Sequence, residues 1–138
     1  MTGTAQLSGA SATLAGTRVF LAEDDPMILF VLEAVVEGLG CSVAGTAARV
    51  ADALAFLKTG AVDVAIVDLT LADGDAAALV AALAARRTPV IVTSGALPAA
   101  SGPDGPIFLR KPYSERDLHK ALLGTLARTA RGLAGSTT

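Results

Sequence analysis

Five short apolar runs, separated mostly by segments of helical length, constrain the fold of this 138-residue chain more than any other feature. The runs are RVFLA (18–22), CSVAGTA (41–47), VDVAIVD (62–68), PVIVTS (89–94) and IFLR (107–110). VDVAIVD and PVIVTS are apolar at consecutive positions, not alternate ones, so both faces of those strands must be covered. After Pro26, apolar residues at Ile28, Val31, Leu32, Val35, Val36 and Leu39 recur at helical spacing, with Asp25 as N-cap and Gly40 as the stop. Residues 50–60 and 75–87 read as two further helices, and LADG (71–74) as a turn. A last helix over 114–131 opens with Ser114 and Asp117 in capping-box spacing. Strands that alternate with helices in this way predict an α/β fold, a doubly wound parallel sheet of five strands in the order 2-1-3-4-5.

In such a sheet all strand C-termini meet at one edge, where ligands bind. Glu23, Asp24 and Asp25 follow the first strand. Asp68 ends the third, Thr93 and Ser94 end the fourth, and Lys111 follows the fifth. Neighbouring first and third strands bring the carboxylates within repulsive distance. A hard divalent cation removes that repulsion, and a few oxygen ligands open to water suit Mg²⁺. Asp25, before a proline, is chiefly a helix cap.

Composition excludes several other classes. The formal net charge is −2 with no basic patch, which argues against a nucleic-acid partner. The lone Cys41 cannot form an internal disulfide and reads as a core residue, in keeping with a reducing cytoplasm. No apolar run approaches the ~18 residues of a membrane span. The first residues lack the basic and apolar regions of a signal peptide. The expected layout is a flexible arm over 1–17, one domain over 18–131 and a loose tail over 132–138.

These motifs, each at an expected strand end, resemble the receiver domains of two-component response regulators. The resemblance rests on EDDP after the first strand, VDLTLADG around Asp68, TSG after the fourth strand and KPY after the fifth. It covers roughly 18–131. It implies that Asp68 is the phosphoacceptor, Asp24 a direct Mg²⁺ ligand and Glu23 an acid acting through water. The backbone carbonyl of Thr70 completes the implied ligands. Ser94, or one residue earlier Thr93, takes the part of the switch hydroxyl. Lys111 takes that of the phosphate-binding lysine, with a cis bond to Pro112, and Phe108 that of the switch aromatic or of plain core packing. His119 is expected to be a solvated side chain.

The chain departs from the family between Ser94 and Lys111. GALPAASGPDGP (95–106) has three prolines, so a fourth helix there should be short or absent. Thr70 and Ala96 are poor at orienting a water, which predicts slow self-dephosphorylation. The implied function is that of a single-domain response regulator, not an enzyme in the ordinary sense. It would accept a phosphoryl group from a histidine kinase or histidine phosphotransfer protein, as a switch or shuttle, and be a monomer or weak homodimer. Leu29 and Phe30, expected to face water, mark the partner surface together with Pro26. The alternative is a pseudo-receiver that binds partners without phosphorylation. A haloacid-dehalogenase-type phosphatase would need an acid where Thr70 stands, and a flavodoxin-like binder would not set EDDP against a phosphate.

Overall fold

A computed structural model describes residues 14–96 and 105–136 of the chain. Five parallel strands form one sheet: β1 (Arg18–Ala22), β2 (Ser42–Ala47), β3 (Val64–Asp68), β6 (Val90–Ser94) and β7 (Ile107–Arg110). A two-stranded ribbon, β4 (Thr70–Leu71) and β5 (Gly74–Asp75), stands where the LADG turn was expected. The sheet order is β2-β1-β3-β6-β7, which is the predicted 2-1-3-4-5 once the ribbon is set aside. Four helices lie among the described residues: α1 (Pro26–Gly38), α2 (Val50–Leu57), α3 (Ala77–Ala85) and α4 (Glu115–Ser136).

The consecutive apolar residues of the central strands serve two cores. Phe20, Ala22, Ala65, Val67, Val90 and Val92 pack on the face covered by α2 and α3. Val19, Leu21, Val64, Ile66 and Ile91 pack on the other, beneath α1 and α4. Period-two alternation therefore persists in these strands, but both sides are apolar because helices cover both.

The helix ends follow local chemistry. The Asp25 carboxylate accepts the N–H groups of Met27 and Ile28 at 2.9 and 3.3 Å. Gly40 (φ 97°) closes α1, with Cys41 N–H donating to the Val36 carbonyl and Gly40 N–H to that of Glu37. Ser114 and Asp117 exchange hydrogen bonds of 3.0 and 3.2 Å ahead of α4, the expected capping box. Helix α2 is shorter than expected, and residues outside it secure both of its ends. The Asp73 carboxylate accepts from Val50 and Ala51 N–H, and the Arg86 guanidinium donates to the carbonyls of Leu57 and Gly60.

The packed body begins by Leu14, inside the expected arm. Leu14 is 3% exposed, and the N–H of Gly16 donates to the Gly40 carbonyl. At the other end α4 continues to Ser136, past the expected boundary at 131. Residues 97–104 of the expected 95–106 loop and residues 1–13 of the expected 1–17 arm lie outside the described residues.

The buried face of α1 differs from the expected one. Leu29 is half-buried against the core, whereas Val31, placed in the inward stripe, is 53% exposed. The reason is angular. Leu29 precedes Leu32 by three positions and Val36 by seven, so it shares their face, while Val31 sits about 100° from Leu32.

Two predictions follow from this packing. The Phe56 ring stacks on Phe20 at 4.9 Å between centroids and is gripped by Gly45 and Gly60. A Cβ on Gly45 would meet Phe56 Cε1 at 2.6 Å. Gly45→Ala should cost about 1–3 kcal/mol in urea unfolding, and clearly less in a Phe56→Leu background. Separately, Arg18 clamps Asp63 through its N–H and guanidinium at 2.8–3.1 Å. The Arg18 hydrogen bond holds the Asp63 carboxyl below its ordinary value. A depressed folded pKa contributes stability above the unfolded value of about 4, lost as pH falls through the folded value. The gap in thermal midpoint between wild type and Asp63→Asn should therefore close on acidification below about pH 4.

Candidate functional site

The pairing of β1 with β3, register Ala22↔Val67, sets the Glu23–Asp24–Asp25 turn beside Asp68. One carboxylate oxygen from each of Glu23, Asp24 and Asp68 lies within 4.8 Å of the others. Glu23 is 1% exposed and Asp68 8%, while Asp24 faces solvent. Burying such acids is costly unless each oxygen has a partner. Glu23 uses both oxygens, one accepting the Asp25 N–H at 3.0 Å and the other the Lys111 ammonium at 3.0 Å. Asp68 does likewise, accepting the Thr70 N–H at 3.0 Å and Lys111 Nζ at 2.7 Å.

Lys111 reaches this position because β7 pairs with β6, and its own N–H donates to the Ser94 carbonyl at 2.7 Å. The following Lys111–Pro112 peptide is cis, as the resemblance implied. Burial alone would lower the Lys111 pKa, but its hydrogen bonds to Asp68 and Glu23 outweigh that and raise it. Burial pushes the Glu23 carboxyl up; Asp25 N–H and Lys111 hold it back, and the charge of Asp68 adds to the rise. Burial also raises the Tyr113 hydroxyl.

The donor set is hard oxygen, three carboxylates with one open to water, so the residues fit a Mg²⁺ ion that keeps several waters. The Thr70 backbone stands beside Asp68 through its N–H. Ser94 is at the same sheet edge, yet its hydroxyl donates to the Ala96 carbonyl at 2.7 Å and accepts the Ala96 N–H, reaching neither Asp68 nor Lys111. Thr93 is fully buried, and its carbonyl accepts the Leu69 N–H. Phe108 is half-buried against the α2–α3 core.

Of the expected partner residues, Pro26 and Phe30 are exposed, Phe30 at 69%, and Leu29 is turned inward. Sequence reasoning missed Met27 (71% exposed) and Val31. Both line an apolar groove of about 630 Å³ between α1 and the start of α4, walled also by Lys111, Pro112, Tyr113 and Leu118. No spacing in the sequence signals this groove, because its two walls are some eighty positions apart.

The response regulator receiver domain family matches residues 19–123. The chain belongs to that family. Receiver domains are signalling modules of two-component systems. Among solved structures, SdrG from Sphingomonas melonis Fr1 is similar at 30% identity and TM-score 0.68, over 82% of this chain and 98% of that one. The receiver domain of the PhyR response regulator from Erythrobacter litoralis is similar at 26% identity and TM-score 0.71, over 82% and 92%. PhyR from Brucella abortus is similar at 30% identity and TM-score 0.72, over 94% of this chain but 57% of that longer one. Comparison with curated proteins found no match.

This geometry makes Lys111 the counter-charge of two acids at once. Lys111→Met should destabilise the receiver by about 1–3 kcal/mol, less than for a fully buried pair because the lysine is partly solvated. Adding Glu23→Gln should restore part of the loss in urea unfolding.

Proposed function

We propose that this receiver accepts a phosphoryl group on Asp68 from a phosphohistidine, in a Mg²⁺-dependent reaction, and works as a cytoplasmic switch or phosphoryl shuttle. One observation carries the reading: Lys111 Nζ lies between Glu23 and Asp68, at 3.0 and 2.7 Å, with Asp24 in the same cluster. A structural ion pair needs no third carboxylate beside two acids that already share one lysine.

In the transfer, an oxygen of Asp68 forms a bond to phosphorus as the phosphorus–nitrogen bond breaks, leaving the electron pair on the donor imidazole. The moving group has charge on its outer oxygens, so placement and charge neutralisation do most of the work. Lys111 is already on one Asp68 oxygen and is placed to take an oxygen of the incoming group. The Thr70 N–H holds the other Asp68 oxygen and fixes the plane of the carboxylate. Glu23, Asp24, Asp68 and the Thr70 carbonyl would hold Mg²⁺, which supplies further neutralisation of phosphoryl charge. Ser94 would break its bonds to Ala96 and turn to the phosphoryl group, with Phe108 following inward.

The donor protein, a histidine kinase or phosphotransfer protein, would seat a helix on the groove between α1 and α4. Its exposed apolar residues Met27 and Val31 share that groove with Lys111, and Phe30 is exposed on the same helix, α1. A pseudo-receiver that never carries phosphate is the second reading; the engaged Ser94 hydroxyl is the observation in its favour.

Acetyl phosphate with Mg²⁺, or beryllofluoride, should modify wild type and leave Asp68→Asn untouched, read by mass spectrometry or amide shifts. An unmodified wild type would sink the phosphoacceptor reading and leave the pseudo-receiver. Phe30→Asp should slow transfer from a cognate kinase at least about tenfold, the scale of one lost apolar anchor. Its labelling by acetyl phosphate should stay as in wild type; equal loss with both donors would refute the docking role.

A further inference from the structure

Helix α2 begins without a cap of its own. Arg49 occupies the N-cap position and makes no side-chain bond to the helix. The first N–H groups of a helix need acceptors, and an arginine has none to offer. The acceptor comes from the loop after Asp68: the Asp73 oxygens take Val50 N–H at 2.6 Å and Ala51 N–H at 3.1 Å. Those bonds, the Val50 one foremost, hold the Asp73 carboxyl below its ordinary value.

The same short connection touches both acidic turns. Its Ala47 carbonyl accepts the Glu23 N–H at 3.0 Å, and its Ala48 carbonyl accepts the Ala72 N–H at 3.0 Å. Residues 47–51 therefore brace the Glu23 turn on one side and the 69–76 loop on the other. That loop starts with Thr70, whose N–H orients Asp68. It is tied down at Leu71, buried in the core, and turns at Gly74 with φ 131°, which only glycine adopts easily. Asp73 supplies two of the links from the loop to the brace.

We infer that Asp73 is a positioning residue for the phosphoacceptor site: by capping α2 it fixes the spacing between the Glu23–Asp24 turn and the Asp68–Thr70 loop. The inference rests on the proposed Mg²⁺-dependent reading of that site. Asp73 is exposed and touches none of the acids, so it acts through the backbone. Ordinary helix capping would stabilise α2 without altering the site. The two roles separate because α2 has a second external tie at its far end, Arg86 on the Leu57 carbonyl.

The test is a Mg²⁺ titration of the full chain, followed by fluorescence of Tyr113, the single tyrosine in a chain without tryptophan. Thermal midpoints and amide exchange at Thr70 are measured in parallel. Asp73→Ala should weaken Mg²⁺ binding about tenfold, the usual scale for a residue that supports ligands without touching the ion, and speed exchange at Thr70. Asp73→Asn keeps an acceptor for one N–H and should lose less. Arg86→Ala should lower the thermal midpoint while leaving Mg²⁺ affinity and Thr70 exchange as in wild type. The inference is overturned if Asp73→Ala binds Mg²⁺ within about twofold of wild type, or if Arg86→Ala weakens binding equally. Should Asp73→Ala not fold, Asp73→Asn decides: weakening beyond about twofold supports the inference and anything smaller overturns it. A wild type that binds no Mg²⁺ refutes the proposed function instead; Thr70 exchange in the Asp73 variants then decides the clamp, with unchanged exchange overturning it.

Discussion

Two buried carboxylates on neighbouring strands sit side by side with one ammonium between them. Glu23 and Asp68 share Lys111, and each fills its second oxygen with a backbone N–H, from Asp25 and Thr70. Remove any of these partners and an acid is left buried with unmet bonding capacity, which costs more than the pair itself contributes. The arrangement demands three strand ends in fixed relation. β1 presents Glu23, β3 presents Asp68, and β7 delivers Lys111 from two strands away through its backbone bond to Ser94.

The sheet can hold those ends because its central strands are buried on both sides. Val64 to Asp68 have no exposed residue, and the faces of β1, β3 and β6 interlock with two separate helix pairs. A platform of this kind moves little, so the freedom at the site belongs to the loops. Those loops differ in how they are held. The 69–76 loop is tied to the β2–α2 connection by Asp73 and Ala72, whereas the Ser94 hydroxyl exchanges hydrogen bonds with its near neighbour Ala96. A hydroxyl with such local bonds can be redirected without unpacking the core. The 69–76 loop cannot shift at Asp73 without also uncapping α2.

The groove between α1 and α4 adds a second surface that shares a residue with the first. Lys111 neutralises the acids and also walls the groove, followed there by Pro112 and Tyr113. A partner seated on Met27 and Val31 would therefore rest within one side chain of Asp68. The groove is apolar because α1 carries more hydrophobic residues than one buried stripe needs; Leu29, Leu32 and Val36 fill the core, and the surplus faces out.

The residue order alone determined the strands, the caps at Asp25 and Ser114, and the convergence of Glu23, Asp24, Asp68 and Lys111 at one edge. These depend on local rules, the periodicity of burial and the polarity of a parallel sheet, and both are written along the chain. The turn of Leu29 into the core depends on the helix phase relative to its neighbours. The groove, the resting bonds of Ser94 to Ala96, and the capping of α2 by Asp73 and Arg86 came only with the folded chain. Each joins groups through space by distances and angles within a few ångströms, and no spacing along a one-dimensional string carries that information.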